Sequence, residues 1–502
     1  MMNTDFQRTL KDYDGLPYPS KPFAYTQPDR QKTILSLFGF DTPPLSTARV
    51  LEIGCSYGGN ILSFALANPN AEVIGIDLSE HQIQEGQKLI EYLGLKNIKL
   101  YHKNVMDFDH SFGKFDYIIC HGVFSWVSEI VQDKILDVIH HHLAENGSAI
   151  ISYNTYPGWK KIEVLKDIMQ LRVKMLQQQD ITIGIKDKVS YGKGALEFLE
   201  KHSILDEDIK EYAEFIRKKD DYYIYHEYYE AYNHPMYLYE FDKRLQQFDL
   251  AYISDSDLSL TFPVFNNPEI ETLLTNECGD NILHKEQYYD FMKNTQFRRS
   301  IITHARNKEK IHISKDLHIE NIKNLYIFLK DRNVESQDEL TKNILDNLKI
   351  EFPQMIKLSD FIEKYYADQD TRTLYSKVIS NLIYTDIIFA TTEYRAIIKE
   401  EKINVSKAYR KSINYLLNIS QPIIKIANFQ GFIMELGNLE SQVIQLLDGT
   451  KTDDDIAKIL LNNMEKDLSK EEIEQQKNNV NQFVSDIRLF IEKNYMNIPT
   501  VE

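Results

Sequence analysis

The stretch VLEIGCSYGGN, Val50–Asn60, is the most informative short segment of this chain. It joins an apolar, strand-like run to the beginning of a helix-like stretch, and glycines stand at Gly54, Gly58 and Gly59. A glycine-rich turn between a strand and a helix lets backbone N–H groups and a helix N-terminus approach a ligand closely. The stretch therefore predicts a ligand-binding turn at the carboxyl end of the first strand of an α/β domain.

Apolar strands alternate with helix-like stretches from residue 48 to residue 155. The predicted strands are ARVLEIG, AEVIGID, IKLYHKN, FDYIICHGV and GSAIISYN. Near-continuous apolar strands that alternate with helices are typical of a parallel sheet covered on both faces. We therefore predict an α/β fold class with a Rossmann-like, doubly wound sheet, followed by mostly α-helical domains.

The chain after residue 160 has mainly helical patterns. We expect a loop at Gln179–Gly194, and Pro235 should separate two helices in a tyrosine-rich region. Near the end, Thr452 is placed to cap a helix, and Ser469 with Glu472 has the capping-box spacing of a further helix. These C-terminal patterns predict a winged-helix-like module.

Size and charge exclude several classes of protein. At 502 residues the chain is too long for a single core. Its net charge of −17 argues against a nucleic-acid partner, because no excess of basic residues is available to neutralise phosphates. No apolar run is long enough to span a bilayer, and the first residues lack the apolar core of a signal peptide. We expect a cytoplasmic protein that is not embedded in a membrane.

The cysteine and histidine patterns argue against a metal site. Cys55, Cys120 and Cys278 are far apart and form no C-x-x-C pair. The tract His140–His142 is predicted to be helical, and consecutive helical residues point in different directions, so they cannot converge on one ion. We predict no bound metal.

Two acidic residues accompany the glycine turn. Glu52 lies on the first strand, and Asp77 ends the second strand, where a carboxylate can accept hydrogen bonds from both hydroxyls of a ribose. Glu52 would repel a pyrophosphate but would attract a ligand that carries an ammonium and a sulfonium group. The spacing Glu52-x-Gly54-x-Ser56-x-Gly58 resembles the signature of class I S-adenosylmethionine-dependent methyltransferases, with Ser56 in place of a glycine.

The turn after the third strand completes this signature. Class I methyltransferases bracket adenine there with apolar side chains and offer an acid to its amino group, and NVMDF fits that pattern. S-adenosyl-L-methionine is the predicted cofactor. The residues expected to bind it are Glu52, Gly54, Cys55, Ser56, Tyr57, Gly58, Asn60, Asp77, Leu78, Gln82, Val105, Met106, Asp107 and His121.

Several longer motifs resemble a narrower family. They are DYDGLPYPSKPF, CHGVFSW, SYNTYPGW, HEYYEAYNHPMYLYEF, YDFMKNTQFRRS and LLDGT. These motifs are similar to those of bacterial protein-lysine methyltransferases with a methyltransferase regulatory domain, typified by rickettsial enzymes that modify outer membrane proteins. The resemblance implies a homodimer that methylates a protein. It also implies a cofactor domain with an N-terminal lid segment at 1–160, a dimerisation region at 161–225, a middle regulatory domain at 226–315 and a C-terminal domain at 316–502.

An acceptor lysine must react as a neutral amine, and this requirement points to aromatic residues. Aromatic walls hold an ammonium through cation–π contact and also tolerate the neutral amine, whereas a buried carboxylate would keep the amine charged. Both tryptophans of the chain follow predicted strands, at the end of the sheet where ligands bind. The residues expected to line the lysine channel are Tyr153, Asn154, Tyr156, Trp126 and Trp159, with Tyr18 as a lid.

We therefore predict an S-adenosylmethionine-dependent protein-lysine N-methyltransferase that acts on a bacterial outer membrane or surface protein before its export. Two other functions share every cofactor residue. One is a methyltransferase of a small molecule or lipid, and the other is a non-catalytic regulatory protein that binds S-adenosylmethionine. Transfer of labelled methyl groups to a protein would distinguish the first function from both alternatives.

Overall fold

The computed structural model describes residues 21–496 except 180, 203–206, 231, 264–268, 315–316, 330–331, 353, 368–373, 376–377, 379–386, 392–401, 419–423, 429–430, 463–469 and 495. Across these described ranges, no helix combines the length and the apolar character that crossing a membrane requires. The same ranges contain no group of three or more His, Cys, Asp or Glu side chains arranged to hold a metal ion.

A seven-stranded sheet organises the first three hundred residues, and its strand order is β3-β2-β1-β4-β5-β7-β6. Strands β1 to β5 are parallel to one another, whereas β7 is antiparallel to both β5 and β6. This arrangement confirms the predicted Rossmann-like α/β fold class. The strands are β1 Arg49–Ile53, β2 Glu72–Asp77, β3 Ile98–His102, β4 Phe115–Cys120, β5 Leu143–Asn154, β6 Leu250–Asp255 and β7 Phe297–His304.

Helices cover both faces of this sheet. Side chains that alternate along each strand enter different cores, because successive residues of a strand point to opposite faces. Val50 and Val73 belong to one core, and Leu51 and Ile74 belong to the other. The helices of this part are α1 Pro28–Leu37, α2 Gly59–Ala67, α3 Glu80–Leu93, α4 Glu129–His142, α5 Gly158–Gln177, α6 Ile185–His202, α7 Glu207–Arg217, α8 Asp221–Tyr228, α9 Leu238–Gln246, α10 Leu258–Thr261, α11 Glu269–Cys278 and α12 Ile282–Lys293.

The predicted loop at Gln179–Gly194 is wrong over its second half, because α6 begins at Ile185. Gly192 lies inside this helix because its position leaves no room for a side chain. A Cβ atom at Gly192 would lie 2.6 Å from the Tyr229 hydroxyl oxygen, so only glycine lets α6 approach so closely. That hydroxyl also donates to the Lys188 carbonyl oxygen at 2.7 Å. The separation of two helices around Pro235 is confirmed by α8 and α9.

The C-terminal part mixes helices with short strands. Thr452 caps its helix as predicted, since its Oγ1 accepts a hydrogen bond from the Asp455 amide at 3.2 Å. Ser469 lies outside the described residues, and the winged-helix-like character stays a prediction. The elements are α13 Ile319–Ile322, β8 Tyr326–Leu329, α14 Glu339–Glu351, β9 Ile356–Lys357, α15 Leu358–Tyr366, β10 Ile387–Ala390, α16 Lys407–Asn418, β11 Ile424–Ala427, β12 Ile433–Leu436, α17 Asn438–Leu446, α18 Asp453–Asn462 and α19 Lys470–Lys493.

The sheet and one of its cores extend beyond the cofactor region predicted at 1–160. Strands β6 and β7 come from the segment predicted as the middle domain. Residues of the C-terminal part, such as Ile327 and Phe361, pack in the same core as Val50 of β1. The cofactor fold is therefore completed by residues distant in sequence, and the boundaries at 160, 225 and 315 stay predictions.

Candidate cofactor and acceptor site

The glycine turn after β1 depends on left-handed backbone geometry. Gly54, Ser56 and Gly58 have φ angles of 78°, 52° and 80°. Glycine adopts this region readily, whereas a side chain is strained there, so Ser56 occupies it at some cost. Gly54 is also needed for space, because a Cβ atom at that position would lie 2.3 Å from Val123 Cγ2. The turn therefore keeps a left-handed backbone at all three positions even though serine occupies one of them.

Asp77 holds the glycine turn against the end of β2. Its Oδ2 accepts a hydrogen bond from the Ser56 amide at 2.8 Å, and its Oδ1 accepts one from the Ser79 amide at 2.9 Å. Burial raises the pKa of this carboxyl, and the hydrogen bonds from the Ser79 and Ser56 amides oppose the rise. Each carboxylate oxygen has a second lone pair, so Asp77 retains the capacity to accept further hydrogen bonds from a ribose.

Glu52 lies buried beneath the turn and has one unpartnered oxygen. Its Oε1 accepts a hydrogen bond from Asn60 Nδ2 at 2.7 Å, whereas Oε2 has no partner. Burial raises the pKa of Glu52 to about 8, and the hydrogen bond from Asn60 opposes that rise. A cation bound beside Oε2 would compensate the buried charge, as the ammonium or sulfonium of the predicted cofactor would.

An N-terminal segment, Phe23–Gln27, is tied to Asn60. The Phe23 amide and Gln27 Nε2 each donate to Asn60 Oδ1 at 2.8 Å, and Asn60 Nδ2 donates to Thr26 Oγ1 at 3.1 Å. These contacts were missed in the sequence prediction, although the motif ending at Phe23 could have indicated them. Tyr18, the predicted lid residue, lies outside the described residues.

Among the described residues, four buried polar atoms around the turn have no hydrogen-bond partner: Glu52 Oε2, Ser56 Oγ, Gln82 Nε2 and His121 Nδ1. Buried polar groups in proteins normally find partners, so such a concentration indicates a place for a polar ligand. Burial lowers the pKa of His121 to about 3, which leaves its imidazole neutral at physiological pH. A carboxylate, a hydroxyl, an amide and a neutral imidazole together fit the amino-acid and sulfonium end of S-adenosylmethionine.

The other predicted cofactor residues differ in accessibility. The Cys55 side chain is buried, and its Sγ lies 2.6 Å from the position a Cβ atom would take at Gly75, so only its backbone is available to a ligand. Tyr57 and Leu78 are partly buried. Val105 and Met106 are partly buried in a 3₁₀ turn that ends at Asp107, which is exposed.

We expect cofactor affinity to depend on the protonation of Glu52. Its pKa of about 8 means that the carboxyl is largely protonated at neutral pH without ligand, and a cationic ligand binds the carboxylate form better. S-adenosylmethionine affinity should therefore rise with pH up to about pH 8, by at most about tenfold per pH unit. Glu52→Gln should remove this dependence. Calorimetric titration of the wild-type and Glu52→Gln proteins from pH 6 to 8 measures the affinity. An equal change of affinity with pH in the two proteins would contradict the prediction.

One loop, residues 121–128, connects the glycine turn with the end of β5. Val123 contacts the turn at Gly54, as described above. The Gly122 amide donates to Ser152 Oγ at 2.8 Å, and Ser125 Oγ accepts a hydrogen bond from the Asn154 amide, also at 2.8 Å. The carboxyl ends of β1, β4 and β5 therefore meet, in the place where ligands bind in such sheets.

The predicted channel residues Trp126, Tyr156 and Trp159 come together beside this loop. The two indole rings make an edge-to-face contact with centroids 6.3 Å apart, and all three side chains pack in one apolar cluster with helices α5 to α8. The Tyr156 hydroxyl donates to Glu163 Oε1 at 2.5 Å. The Lys160 Nζ atom lies 3.7 Å from the centroid of the Tyr156 ring, so this ring face already holds an ammonium group.

Asn154 is fixed by two polar residues that the sequence prediction missed. Its Nδ2 donates to Asn233 Oδ1 at 2.9 Å, and its backbone amide donates to Ser125 Oγ. The Asn154 carbonyl oxygen accepts a hydrogen bond from the Met236 amide at 3.2 Å. The tyrosine-rich segment therefore packs against the predicted acceptor residue Asn154. The position of Asn233 inside the motif HEYYEAYNHPMYLYEF could have indicated this contact from the sequence.

Tyr153 is not brought together with the other channel residues. Its ring stacks on Phe241 with centroids 4.3 Å apart, and its hydroxyl lies 3.1 Å from Ser300 Oγ in the core. Burial raises the pKa of this phenol far above its ordinary value. Adjacent strand residues face opposite sides of a sheet, so Tyr153 and Asn154 cannot both point the same way.

Comparison with family descriptions finds two matches. Residues 45–226 match the family described as a methyltransferase domain, and residues 220–304 match the family described as a predicted methyltransferase regulatory domain. The two matches meet near α8, so the second covers the part of the chain that supplies Asn233 and strands β6 and β7.

Two curated relatives are uncharacterized proteins of Rickettsia prowazekii (strain Madrid E). RP028 is 40% identical over 242 residues, which are 47% of this chain and 94% of that protein. RP789 is 36% identical over 340 residues, which are 67% of this chain and 59% of that protein. The chain therefore spans less than two thirds of RP789.

A solved structure, PKMT2 from Rickettsia typhi, superposes on most of the chain. It has a TM-score of 0.82 and 27% sequence identity, and the match covers 96% of this chain and 100% of that one. The structure of the same protein in complex with AdoHcy has a TM-score of 0.81 with the same coverage. AdoHcy is what S-adenosylmethionine becomes after it has given up its methyl group, so that neighbour binds the product form of the cofactor predicted here.

Proposed function

Because the chain belongs to the family of rickettsial-type S-adenosylmethionine-dependent methyltransferases that join a methyltransferase domain to a methyltransferase regulatory domain, we propose that it methylates lysine side chains of a protein. The name PKMT2 of the superposed neighbour, read as protein-lysine methyltransferase, supports this choice of acceptor. We further propose that the substrate is a bacterial outer membrane or surface protein, which is modified in the cytoplasm before its export.

One observation carries the proposal: the aromatic cluster of Trp126, Tyr156 and Trp159 lies beside the loop that touches the glycine turn. An acceptor lysine has a pKa near 10.4 in water, so presenting its neutral form at neutral pH costs about 4–5 kcal/mol. Aromatic walls remove water from the ammonium and lower that pKa, while cation–π contact still attracts the group. The cluster therefore suits an amine that enters charged and reacts neutral.

The proposed residues have different roles in the reaction. S-adenosylmethionine, when bound, supplies an electrophilic methyl group on a sulfonium. Asp77 and the glycine turn bind the cofactor, and Glu52 compensates its positive charge. Asn154, held by Asn233, orients the amine through its side-chain amide, and water can take the proton as the lysine enters the aromatic walls. Most of the catalysis is then positioning and exclusion of water.

The predicted dimerisation region, 161–225, is also a proposal. Exposed apolar residues on α5 to α7 support it, because apolar side chains grouped on a surface mark contact sites. These residues are Val164, Leu171, Met175, Phe198 and Phe215. We propose that they bury against a second copy of the chain. Tyr18 is retained as a further proposed acceptor-site residue, whereas Tyr153, whose ring is buried against Phe241, is not.

A labelling experiment tests the proposed function. The protein is mixed with a methyl-tritiated cofactor and a bacterial outer-membrane extract, with Asp77→Ala as the inactive control. We expect label on a protein band, and mass spectrometry of that band should locate it on lysine. Label in the organic-soluble or small-molecule fraction alone would contradict the proposal in favour of a small-molecule or lipid methyltransferase. Cofactor binding without any transfer would indicate a regulatory protein.

Substitutions in the acceptor site should slow the chemical step without weakening cofactor binding. Tyr156→Phe removes the hydrogen bond to Glu163, and Asn154→Ala removes the one from Nδ2 to Asn233. Losing one such orienting bond should slow methyl transfer about 10- to 100-fold. Single-turnover methylation at saturating cofactor measures the rate, and a separate titration measures cofactor affinity. Tyr101→Phe, at an exposed position on β3, is the matched control. Normal rates in both acceptor-site variants would refute the assignment.

A further inference from the structure

Aromatic rings continue from the acceptor site across the surface. The Tyr156 and Tyr237 rings have centroids 5.3 Å apart. Tyr237 stacks in turn on Tyr239 and on Phe291, each at 5.6 Å. Tyr288 lies on α12 three residues before Phe291, on the same face of the helix. We call these five residues the aromatic ridge: Tyr156, Tyr237, Tyr239, Tyr288 and Phe291.

The far end of the aromatic ridge is open to solvent. The exposed fraction is 56% for Phe291 and 47% for Tyr239, and Met292, the next residue after Phe291, is also exposed. Large apolar side chains are seldom grouped on a surface unless something binds there. Tyrosine and phenylalanine are the residues that protein-binding surfaces favour, because they offer large contact areas at little entropic cost. The aromatic ridge is therefore suited to contact another polypeptide.

Carboxylates accompany the tyrosines of the aromatic ridge. The hydroxyl of Tyr156 donates to Glu163 at 2.5 Å, that of Tyr239 to Glu240 at 3.2 Å, and that of Tyr288 to Glu277 at 3.0 Å. A ring face next to a carboxylate attracts cations by two means, cation–π contact and ion pairing.

Lys160 gives an example of such binding within the chain. Its Nζ atom lies over the Tyr156 ring at 3.7 Å from the centroid. The net charge of −17 adds long-range attraction for a basic partner.

We propose that the aromatic ridge binds a basic polypeptide segment of the substrate that flanks the acceptor lysine. This inference rests on the proposed function and adds the substrate class: lysines with arginine or lysine neighbours are preferred. The continuity of the aromatic ridge with Tyr156 places the flanking residues on Tyr239 and Phe291 while the acceptor lysine lies at the tryptophan pair. Cation–π contact and the glutamates then recognise the basic side chains.

Binding of two synthetic peptides tests the aromatic ridge. One short fluorescein-labelled peptide carries a central lysine flanked by arginines, and the other has glutamines in place of the arginines. Fluorescence anisotropy in the presence of S-adenosylhomocysteine measures Kd for each. The double substitution Tyr239→Ala with Phe291→Ala should weaken binding of the arginine peptide about tenfold and leave the glutamine peptide nearly unchanged. Ile350→Ala, at a 68% exposed apolar position on α14, should change neither Kd.

A second variant tests charge separately from ring area. Glu240→Gln with Glu277→Gln keeps the side-chain shape, and it should reduce the preference for the arginine peptide while weakening the salt dependence of its binding. Unchanged Kd in both double variants would overturn the proposal. Equal loss for the two peptides would overturn it too, because the aromatic ridge would then not recognise basic residues. A changed sedimentation coefficient with unchanged Kd would assign it instead to contact between copies of the chain.

These experiments distinguish a failure of the proposed lysine methylation from a failure of the proposed binding surface. If the wild-type protein binds the arginine peptide but transfers no labelled methyl group to its lysine, then lysine methylation is wrong while the binding surface stands. If methyl groups are transferred and the aromatic-ridge variants keep wild-type Kd, then the binding surface is wrong while the function stands.

Discussion

Replacing Asp77 with alanine is expected to weaken binding of S-adenosylmethionine and S-adenosylhomocysteine by about 2–4 kcal/mol, or about 30- to 1000-fold. The loss has two sources. The carboxylate is the proposed acceptor for the ribose hydroxyls, and it also accepts hydrogen bonds from the Ser56 and Ser79 amides. Without it, the left-handed Ser56 loses the contact that offsets its strain.

Calorimetry with S-adenosylhomocysteine measures this effect. Glu72→Ala is the matched control, because Glu72 begins the same strand at its opposite end and makes a surface ion pair with Arg49. That control should bind the cofactor normally. Unchanged affinity in the Asp77 variant would mean that the end of β2 does not contact the ribose.

Replacing Arg298 with methionine is expected to destabilise the fold by about 3–5 kcal/mol, the usual cost of leaving a buried ion cluster without its partner. Arg298 is completely buried on β7. Its guanidinium nitrogens lie 2.8 Å from Asp290, 2.9 Å from Glu286 and 4.0 Å from Asp255. The variant would leave Glu286 and Asp290 buried without the guanidinium that both of them contact.

The loss of folding stability in the Arg298 variant, relative to wild type, should grow as the pH rises. Burial already raises the pKa of Glu286 to about 7 in the presence of Arg298, and removing the guanidinium would raise it further. The folded variant then binds more protons than its unfolded chain, so its stability falls as pH rises above the unfolded carboxyl range.

Urea denaturation at pH 6 and pH 8 measures the stability of the Arg298 variant. Arg299→Met, at the partly exposed neighbouring position, should cost about 1 kcal/mol or less. Equal stability of the Arg298 variant and wild type would show that the cluster does not need its cation.

The sequence was informative where structure is local. Strands β1 to β5 were predicted because parallel, doubly covered strands have continuous apolar residues. The turn at Gly54 and Gly58 was predicted because its backbone conformation demands glycine, and the cofactor followed from Glu52 and Asp77 near it. Each of these signals lies within a few residues of the feature that it predicts, except Asp77, which ends the next strand.

Contacts between distant segments could not be predicted in the same way. Asn154 contacts Asn233 across 79 positions, and Phe23 contacts Asn60 across 37. Such pairs follow no periodicity, since each depends on where the folded chain returns. Tyr153 is a different case: strand alternation places it on the face opposite Asn154, and packing on Phe241 decides which of the two residues enters the core.

The α/β sheet, the glycine turn, the cofactor and the family could all be predicted from the sequence, because they depend on local periodicity and on short motifs with a definite backbone conformation. The folded chain was needed to show that β6 and β7 complete the sheet and that Ile327 and Phe361 share its core with Val50. It also gathered Trp126, Tyr156, Asn154 and the aromatic ridge around one end of the strands. The physical reason is that apolar burial is non-directional: a pattern shows which residues are buried, but the partner that buries them is chosen by the folded chain as a whole.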